Sequence, residues 1–421
     1  NPLIHIHKIN VKVRTLRPLL FPATGHKLFI TQTEIHIDNE EENAMCLNCQ
    51  MPEFDDDKSD TFANRLVDAL NEGALCVMLS IGHRTKLFDH LERLGRVSSS
   101  ELADGAGLNE RYVREWLNAL VVSKVIDYHP YDRTYALPEE HAAWLTRGST
   151  EGNISVFAQY IPMMGTVEDD IVDCFRNGGG VPYEKFPRFH EVMAEDSGQT
   201  VLSSLKEYIL PLVPGLEENL EKGIAVLDVG CGRGRAINLL AELYPNSTFV
   251  GVDLSEEAIA YAAQEAGARG LNNVDFQIRD VTDFDQDGNH EHYDLITTFD
   301  AVHDQAKPLN VLKGINHALT YDGVYLMQDI HSSSEVENNM EHPVGPLLYT
   351  LSTTHCMTVS LAQGGDGLGT MWGREKAQEL LIEAGFRDIS FHQLEHEFQN
   401  DYYVIRKQEN TFQDERSTRS R

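Results

Sequence analysis

The sequence predicts an α/β fold, with a seven-stranded sheet and flanking helices in the C-terminal half of the chain and an α-rich domain before it. The first observation is a short apolar run over residues 224–229, which is typical of a buried parallel strand. The second is the sequel to that run, because Gly230, Gly232 and Gly234 lead into a helical pattern over residues 236–243. The third is a helix-turn-helix pattern earlier in the chain.

The strand, glycine turn and helix form a unit that brings a nucleotide-like ligand close to bare backbone. Glycines are needed there because a Cβ atom would block either the positive φ of the turn or the ligand. A second strand, residues 248–253, ends in Asp253, at about the 20-residue spacing at which a carboxylate meets a ribose diol. Asp228 lies at the end of the first strand, where it suits a cation and would repel a pyrophosphate.

Alternating strands and helices continue to the end of this region. The further strands are predicted over residues 274–278, 293–299 and 323–328, with a closing pair over 386–394 and 401–406. Polar residues follow three of these strands, at the carboxyl edge where α/β sheets bind ligands. These residues are Asp280, His303, Asp304, Asp329 and His331.

In this order and spacing the pattern resembles the S-adenosylmethionine (SAM)-dependent methyltransferases of the Rossmann-like class. The resemblance covers about residues 222–407 and implies SAM as the cofactor. Asp280 matches the acid that bonds the adenine amino group in that family, and residues 335–372 resemble its substrate-covering insertion. The cofactor-binding positions implied are Asp228, Gly230, Gly232, Gly234, Asp253, Leu254, Asp280, Val281 and Phe299.

The resemblance also points to a catalytic pair. Plant-type and polyketide O-methyltransferases place a catalytic His followed by Asp after the fourth strand, which matches His303 and Asp304. An imidazole suits removal of a hydroxyl proton near neutral pH. The family continues with Trp, whereas this chain has Gln305. His303 is therefore the candidate general base and Asp329 the candidate partner that orients it. The alternatives are that His303 caps the next helix or packs under SAM, and that Asp329 is a surface carboxylate.

Residues 59–150 are predicted to form a winged helix-turn-helix. Ser98 or Ser99 can cap one short helix and Asn109 can cap the next, and a β-hairpin over residues 125–137 forms the wing. Many small-molecule methyltransferases carry such a domain, where it dimerises and helps to shape the substrate pocket. The resemblance therefore implies a homodimer with a small-molecule acceptor.

The charge pattern argues against DNA as a partner. In the presumed recognition helix, Arg111 and Arg114 are balanced by Glu110 and Glu115. The formal net charge of −31 also opposes a broad nucleic-acid or anionic-membrane surface. The chain has no apolar run long enough to span a bilayer, and its six cysteines form no dense framework, so we expect a cytoplasmic protein. No cluster has convincing metal-ligand spacing, so no metal is expected.

Three segments complete the predicted organisation. Residues 1–58 and the tail over residues 408–421 lack sustained periodicity and are expected to be poorly ordered. Cys46 and Cys49, in the first of these segments, are interpreted as two thiols without a metal. Residues 151–221 are expected to be a helical linker broken by prolines.

The sequence therefore predicts a SAM-dependent methyltransferase that moves a methyl group to a small-molecule acceptor at a hydroxyl, with His303 as the base. Two alternatives stay open. One is a SAM-binding winged-helix regulator of DNA without catalysis. The other is a scaffold that keeps the fold for dimerisation only, against which the intact set of acids and glycines argues.

Overall fold

The computed structural model describes residues 10–15, 19–20, 27–28, 31–36, 54–149, 152–288 and 290–407. The chain divides into two compact units, residues 1–65 and residues 66–421. In the described parts of the chain, no helix is both long enough and apolar enough to cross a membrane. The predicted tail over residues 408–421, and the pair Cys46 and Cys49, lie outside the described residues.

The first unit contains short β-strands that the prediction for residues 1–58 did not include. They form two antiparallel pairs: β1 (Asn10–Thr15) with β4 (Thr31–His36), and β2 (Leu19–Leu20) with β3 (Lys27–Leu28). The first helix, α1, begins at Asp56, two residues before the predicted end of this segment. The other residues of the segment before residue 54 lie outside the described ones.

The predicted winged helix is present in the second unit. Its hallmark is two short capped helices: Ser98 and Glu101 form a reciprocal capping box on one, and Asn109 caps the other. Trp116 packs edge-on against Phe88 at the centre of its core. The elements are α1 (Asp56–Arg84), α2 (Leu87–Leu94), α3 (Ser99–Ala106), α4 (Glu110–Val122), the wing strands β5 (Asp127–His129) and β6 (Thr134–Ala136), and α5 (Glu139–Leu145).

The predicted helical linker is a chain of short helices that builds part of the core. Its buried Val201, Leu205 and Ile209 pack in one cluster with Ile237 and Tyr402 of the following domain. The α-helices are α6 (Tyr160–Gly165), α7 (Glu168–Asn177), α8 (Phe189–Ser197) and α9 (Leu216–Lys222). Tighter or wider helical turns occupy Ile154–Gln159, Tyr183–Lys185, Gly198–Leu202, Leu205–Ile209 and Leu210–Leu212.

The seven-stranded sheet is confirmed. Its strand order is β12-β13-β11-β10-β7-β8-β9, and all neighbours are parallel except β13, which is antiparallel to both β11 and β12. The strands are β7 (Ala225–Val229), β8 (Thr248–Asp253), β9 (Val274–Ile278), β10 (Tyr293–Phe299), β11 (Leu319–Ile330), β12 (Asp388–Leu394) and β13 (Glu397–Arg406).

Helices cover both faces of the sheet, so each face has its own apolar core. Tyr325, Met327 and Tyr403 belong to one core, and Leu326 and Tyr402 belong to the other, as strand alternation requires. The helices of this domain are α10 (Arg235–Leu243), α11 (Glu256–Arg269), α12 (Pro308–Ala318), α13 (Gly345–Leu351), α14 (Met357–Ala362) and α15 (Gly373–Glu383). Shorter turns occupy Phe284–Gln286, Val336–Asn339 and Ser352–Cys356.

The strand order sets the position of the site. From β7 the chain moves outward to β8 and β9 on one side, and β10 and β11 then lie on the other side. The connections therefore diverge between β7 and β10, which opens a crevice at the carboxyl ends of these strands. The glycine turn after β7 and the polar residues after β10 meet at this crevice.

Candidate active site

The turn after β7 has the geometry that requires glycine. Gly230 and Gly234 have positive φ angles of 73° and 64°. A Cβ atom on Gly230 would lie 2.5 Å from the Ala301 side chain, and one on Gly234 would lie 2.6 Å from the ring of Phe276. The first contact lies between the turn after β7 and the residues after β10, and the second lies between the start of α10 and β9. Both contacts bring backbone closer than any side chain would allow.

Asp253 holds the glycine turn in place. Its Oδ2 accepts a hydrogen bond of 2.8 Å from the backbone N–H of Gly232, and its Oδ1 accepts one of 2.8 Å from Ser255. The N–H groups of Gly230 and Cys231 bond to the carbonyl of Val252, one residue earlier. The end of β8 and the loop after β7 are therefore joined by three hydrogen bonds, and the bond from Ser255 helps to fix the orientation of the carboxylate.

A cavity of about 930 Å³ lies above this turn. Eight of the nine positions that the sequence assigns to the cofactor line this cavity. Gly234 does not line it, and the reason for a glycine at that position is its close packing against Phe276. The lining positions are Asp228, Gly230, Gly232, Asp253, Leu254, Asp280, Val281 and Phe299.

Asp228 is an acid in an apolar position. Its side chain is buried, and its Oδ1 accepts a hydrogen bond of 2.7 Å from Thr297 on β10. Burial raises the pKa of Asp228 to about 7, and the neighbouring Asp253 carboxylate adds to the rise. Near neutral pH this carboxyl group therefore carries a proton part of the time, and a cation beside it would favour the charged form.

His303 and Asp329 form a buried pair. The His303 Nδ1 lies 2.8 Å from Asp329 Oδ1, which also accepts bonds from Trp372 Nε1 at 3.1 Å and from the N–H of Ile330 at 2.8 Å. Burial by itself lowers the pKa of His303, but Asp329 and the adjacent Cys356 outweigh it and hold that pKa well above its usual range. The pair therefore retains a proton at pH values at which an ordinary histidine would lose it.

Two of the alternatives for this pair do not fit the structure. The next helix, α12, has Lys307 as its N-cap, so His303 does not cap it. Asp329 is fully buried, so it is not a surface carboxylate. His303 itself is only 4% exposed and does not line the cavity. The side chain of Cys356, from the turn between α13 and α14, lies beside it.

The residue that does face the cavity is Asp304, which sequence reasoning left without a role. It accepts a hydrogen bond from the hydroxyl of Tyr183, which the chain brings in from the segment between α7 and α8. Burial raises the pKa of Asp304 to about 6, although His303 lowers it. The sequence held one signal, the His–Asp order at 303–304, but none for Tyr183.

An aromatic cluster closes the cavity on the side of the insertion. His355 is 1% exposed, stacks on Phe189 at 3.7 Å between ring centroids, and meets the edge of Phe186. Burial lowers the pKa of His355 to about 3, so its ring is neutral. His331, in contrast, bonds to Asp401 on β13 and does not line this cavity.

The described residues contain no group of three or more His, Cys, Asp or Glu side chains that could hold a metal ion. The polar residues of the crevice bond instead to backbone, to Thr297, to Tyr183 or to each other. What they offer chemically is oriented carboxylates, the imidazole of His303 and an aromatic wall that includes the neutral ring of His355.

Two protein families match the chain. Residues 73–147 match the Rv2258c-like winged HTH domain, and residues 220–385 match a methyltransferase domain. The predicted combination of a winged helix with such a domain is thereby confirmed, and so is the fold class.

Relatives and solved structures extend this finding. "Methyltransferase ungE'" of Aspergillus campestris is 32% identical over 101 residues, which are 24% of this chain and 30% of that protein. Matches span between 20% and 34% of the length of the first three curated relatives. Human N-acetylserotonin methyltransferase, solved with SAM, has the same fold, with a TM-score of 0.59 and 22% identity over 82% of this chain and 97% of that chain. For mitomycin 7-O-methyltransferase the TM-score is 0.61, with 16% identity over 83% of this chain and 99% of that chain.

The buried pair makes a testable prediction. Because the folded pKa of His303 is raised, its stabilising effect is complete below the unfolded pKa of about 6.5 and is lost as the pH rises through the folded value. Asp329→Asn removes the partner and should lower the free energy of unfolding by about 3–5 kcal/mol at about pH 5.5, and by less at about pH 10. Urea unfolding at both pH values measures this difference.

The control is Asp366→Asn, which breaks a solvent-exposed pair with Lys307 and should cost at most about 1 kcal/mol. The ring signals of His303 give a second readout, since their titration midpoint should fall in Asp329→Asn. An unchanged midpoint would show that Asp329 does not hold the proton.

Proposed function

We propose that this protein is a SAM-dependent methyltransferase that transfers the methyl group to a hydroxyl of a small-molecule acceptor. The observation that carries the proposal is the Asp253 carboxylate, which the N–H groups of Gly232 and Ser255 orient at the wall of the 930 Å³ cavity. A carboxylate at the end of the second strand of such a sheet is placed to bond a ribose diol.

The remaining cofactor positions fit the same ligand. Asp280 is exposed in the cavity, where its carboxylate can bond the adenine amino group, and Val281 and Phe299 supply apolar surface beside it. At the other end, Gly232 leaves backbone open and Asp228 suits a positive charge. When bound, SAM supplies a methyl carbon already activated by the sulfonium. The protein has to hold donor and acceptor close and aligned.

His303 is the proposed acceptor of the hydroxyl proton. With Nδ1–H donated to Asp329, the neutral ring has its lone pair on Nε2, which is the atom that can take a proton. Its raised pKa favours the protonated ring. A sulfonium in the cavity favours the neutral ring, because a nearby positive charge lowers the pKa of an imidazole.

Asp304 is a second candidate for this role. It lines the cavity directly, and its pKa of about 6 places a carboxylate base within reach of neutral pH. His303 is buried behind it. Exposure to the cavity therefore favours Asp304 as the base, whereas the oriented imidazole favours His303. The two assignments predict that different variants are inactive.

The cofactor proposal is tested at Asp253. Replacement by Ala should weaken SAM binding by about 1.5–3 kcal/mol, the scale of a hydrogen bond to a charged group. Calorimetry measures the affinity. Asp275→Ala, an exposed acid on the neighbouring strand β9 and outside the cavity, is the matched control and should bind SAM like the wild type. Equal affinity of a folded Asp253→Ala variant would refute the ribose assignment, and NAD binding without SAM binding would refute the proposal.

The base is tested by His303→Gln and Asp304→Asn, measured side by side. The labelled methyl group is followed from SAM into a metabolite extract of the source organism, and turnover is recorded against pH. Loss of the base should lower turnover by about 10²–10⁴-fold and change the pH profile, while SAM affinity stays close to that of the wild type. If His303→Gln keeps both turnover and pH profile and Asp304→Asn loses them, the base is Asp304.

We include in the proposal that the winged helix serves dimerisation and not DNA. Arg111 and Arg114 pair with Glu115 and Glu110, so these guanidinium groups are already neutralised locally. Leu70 on α1 is 75% exposed, in line with a surface that a second copy covers. Leu70→Glu should therefore shift the protein from dimer to monomer in sedimentation velocity. Ile382→Glu on α15, also exposed, is the control. A monomeric wild type, or tight salt-sensitive binding of duplex DNA, would contradict this part.

A further inference from the structure

A free thiol lies beside the buried histidine–aspartate pair, and the proposed reaction does not use it. Cys356 is the last residue of the wide helical turn Ser352–Cys356, and turns of this type are frequent at functional sites. Its side chain is partly exposed and is hydrogen-bonded to the ring of His303. His303 is only 4% exposed and Asp329 is fully buried, so the thiol is the most accessible of the three groups.

The imidazole is held in place from its other side. His303 Nδ1 lies 2.8 Å from Asp329 Oδ1. That oxygen also accepts a bond of 3.1 Å from Trp372 Nε1 and one of 2.8 Å from the N–H of Ile330, so the carboxylate has a fixed orientation. Because the carboxylate occupies Nδ1, the ring nitrogen left for Cys356 is Nε2. A thiol, an imidazole and a carboxylate therefore follow one another in a row.

This order of groups is typical of an activated nucleophile. Activation needs a nucleophile within hydrogen-bond reach of a base, and a third group that orients the base. Here the base is His303, whose Nε2 can take the proton of the thiol, and the orienting group is Asp329. The carboxylate also stabilises the imidazolium that forms. A thiol that only fills space would not need this alignment.

The charges around Cys356 act in the same direction. Two tyrosines, Tyr160 on α6 and Tyr183 between α7 and α8, lie close enough to interact electrostatically with it. Burial and a neighbouring acid hold the pKa of each tyrosine well above its usual range, so both are neutral near neutral pH. The charged neighbour is the protonated ring of His303, and a positive ring beside a thiol favours the thiolate.

The other described cysteines lie in different surroundings. Burial and two nearby carboxylates hold the pKa of Cys231, in the glycine turn, well above its usual range. Burial and Glu72 likewise raise the pKa of Cys76 on α1. Cys174 on α7 packs against an apolar cluster. Among the described thiols, the features of a reactive one come together at Cys356.

We propose that Cys356 is a modification site, a reactive thiol that His303 activates and that peroxides oxidise. In this step the thiol proton passes to His303 Nε2, the thiolate sulfur bonds to one oxygen of the peroxide, and the O–O bond breaks. With hydrogen peroxide, the leaving hydroxide takes the proton from the imidazolium and departs as water. The sulfur loses two electrons to the peroxide, and the product is a sulfenic acid.

Oxidation also has a consequence for methyl transfer, and this consequence alone rests on the proposed function. A sulfenic acid is larger than a thiol and lies against the ring nitrogen that should receive the proton of the acceptor. Oxidation of Cys356 should therefore stop methyl transfer, while Asp253 and the glycine turn still hold SAM. Two equivalents of an added thiol reverse the change, because they form a disulfide and release water.

The reactivity is tested on the full chain without a methyl acceptor. Iodoacetamide, whose iodide is displaced by a thiolate sulfur, is applied for limited times, and mass spectrometry of the peptides gives the rate at each cysteine. Ordinary thiols, whose pKa is about 8.5, react slowly at about pH 6.5 because they are protonated. At that pH Cys356 should react about 10-fold faster than Cys174 or better, and the ratio of the two rates should fall as the pH rises to about 8.5.

His303→Gln removes the imidazole and should lower the rate at Cys356 to that at Cys174. His317→Gln, the same exchange at an exposed histidine on α12, is the matched control and should leave the rate unchanged. Circular dichroism checks that both variants are folded. If His303→Gln does not fold, the pH dependence of the ratio in the wild type decides by itself. Equal rates at Cys356 and Cys174 at every pH, or a fast Cys356 that a folded His303→Gln does not slow, would overturn the inference.

Peroxide gives the second test. In one sample the protein is treated with hydrogen peroxide and dimedone, which tags sulfenic acids, and the tag should appear at Cys356 and not at Cys174. In another sample, peroxide alone should lower turnover by at least about 10-fold, dithiothreitol should restore it, and SAM affinity should stay close to that of the untreated protein. In Cys356→Ser the ratio of treated to untreated turnover should stay near one.

The outcomes separate this inference from the proposed function. Absence of the dimedone tag at Cys356 would show that peroxides do not modify it. A tag without any loss of turnover would refute the effect on methyl transfer. If the wild type neither binds SAM nor transfers a methyl group, the proposed function fails and this effect fails with it, while the alkylation rates still decide whether His303 activates Cys356.

Discussion

The half of the cavity that we assign to the cofactor depends on one carboxylate. Asp253 accepts hydrogen bonds from the N–H groups of Gly232 and Ser255, and so joins the loop after β7 to the start of α11. The backbone bonds of Gly230 and Cys231 to Val252 hold the same loop from below. All of these bonds form within the protein, so they hold the loop in one conformation and reduce the ordering that binding would otherwise require. The close contact of Gly230 with Ala301 then fixes the distance between this loop and the residues after β10.

Much of this arrangement could be predicted, because it is local. Strand periodicity, the three glycines and the acid about 20 residues later are set by backbone geometry within one βαβ unit. The rule that parallel strands end at one edge placed His303 and Asp329 near each other, and the resemblance to the O-methyltransferases suggested their pairing. The start of β11 was harder to predict. Its polar residues Thr320 and Asp322 lie in the strand because pairing with β10 extends to Leu319, and no apolar pattern indicates this. Tyr183 reaches Asp304 from 121 residues away, and only tertiary packing brings them together.

Burial changes the chemistry of the acids at this edge. The pKa of Asp228 is about 7 and that of Asp304 about 6, in each case chiefly because the charged form loses water. Near neutral pH such groups change charge in response to a neighbour, which an exposed carboxylate does not do. A cation in the cavity would therefore be stabilised by groups that ionise as it arrives. The neutral, protonated forms also avoid repulsion among several buried carboxylates that have no cation beside them.

The same reasoning connects the positive charge of the cofactor with the protonation state of His303, the proposed base. The raised pKa of His303 favours the protonated ring, and in that form the imidazole is not available as a base. A positive charge in the cavity lowers the pKa of the imidazole and of the carboxyl groups alike, so the imidazole becomes neutral as the acids become charged. The base would then be generated only when a cationic ligand is present.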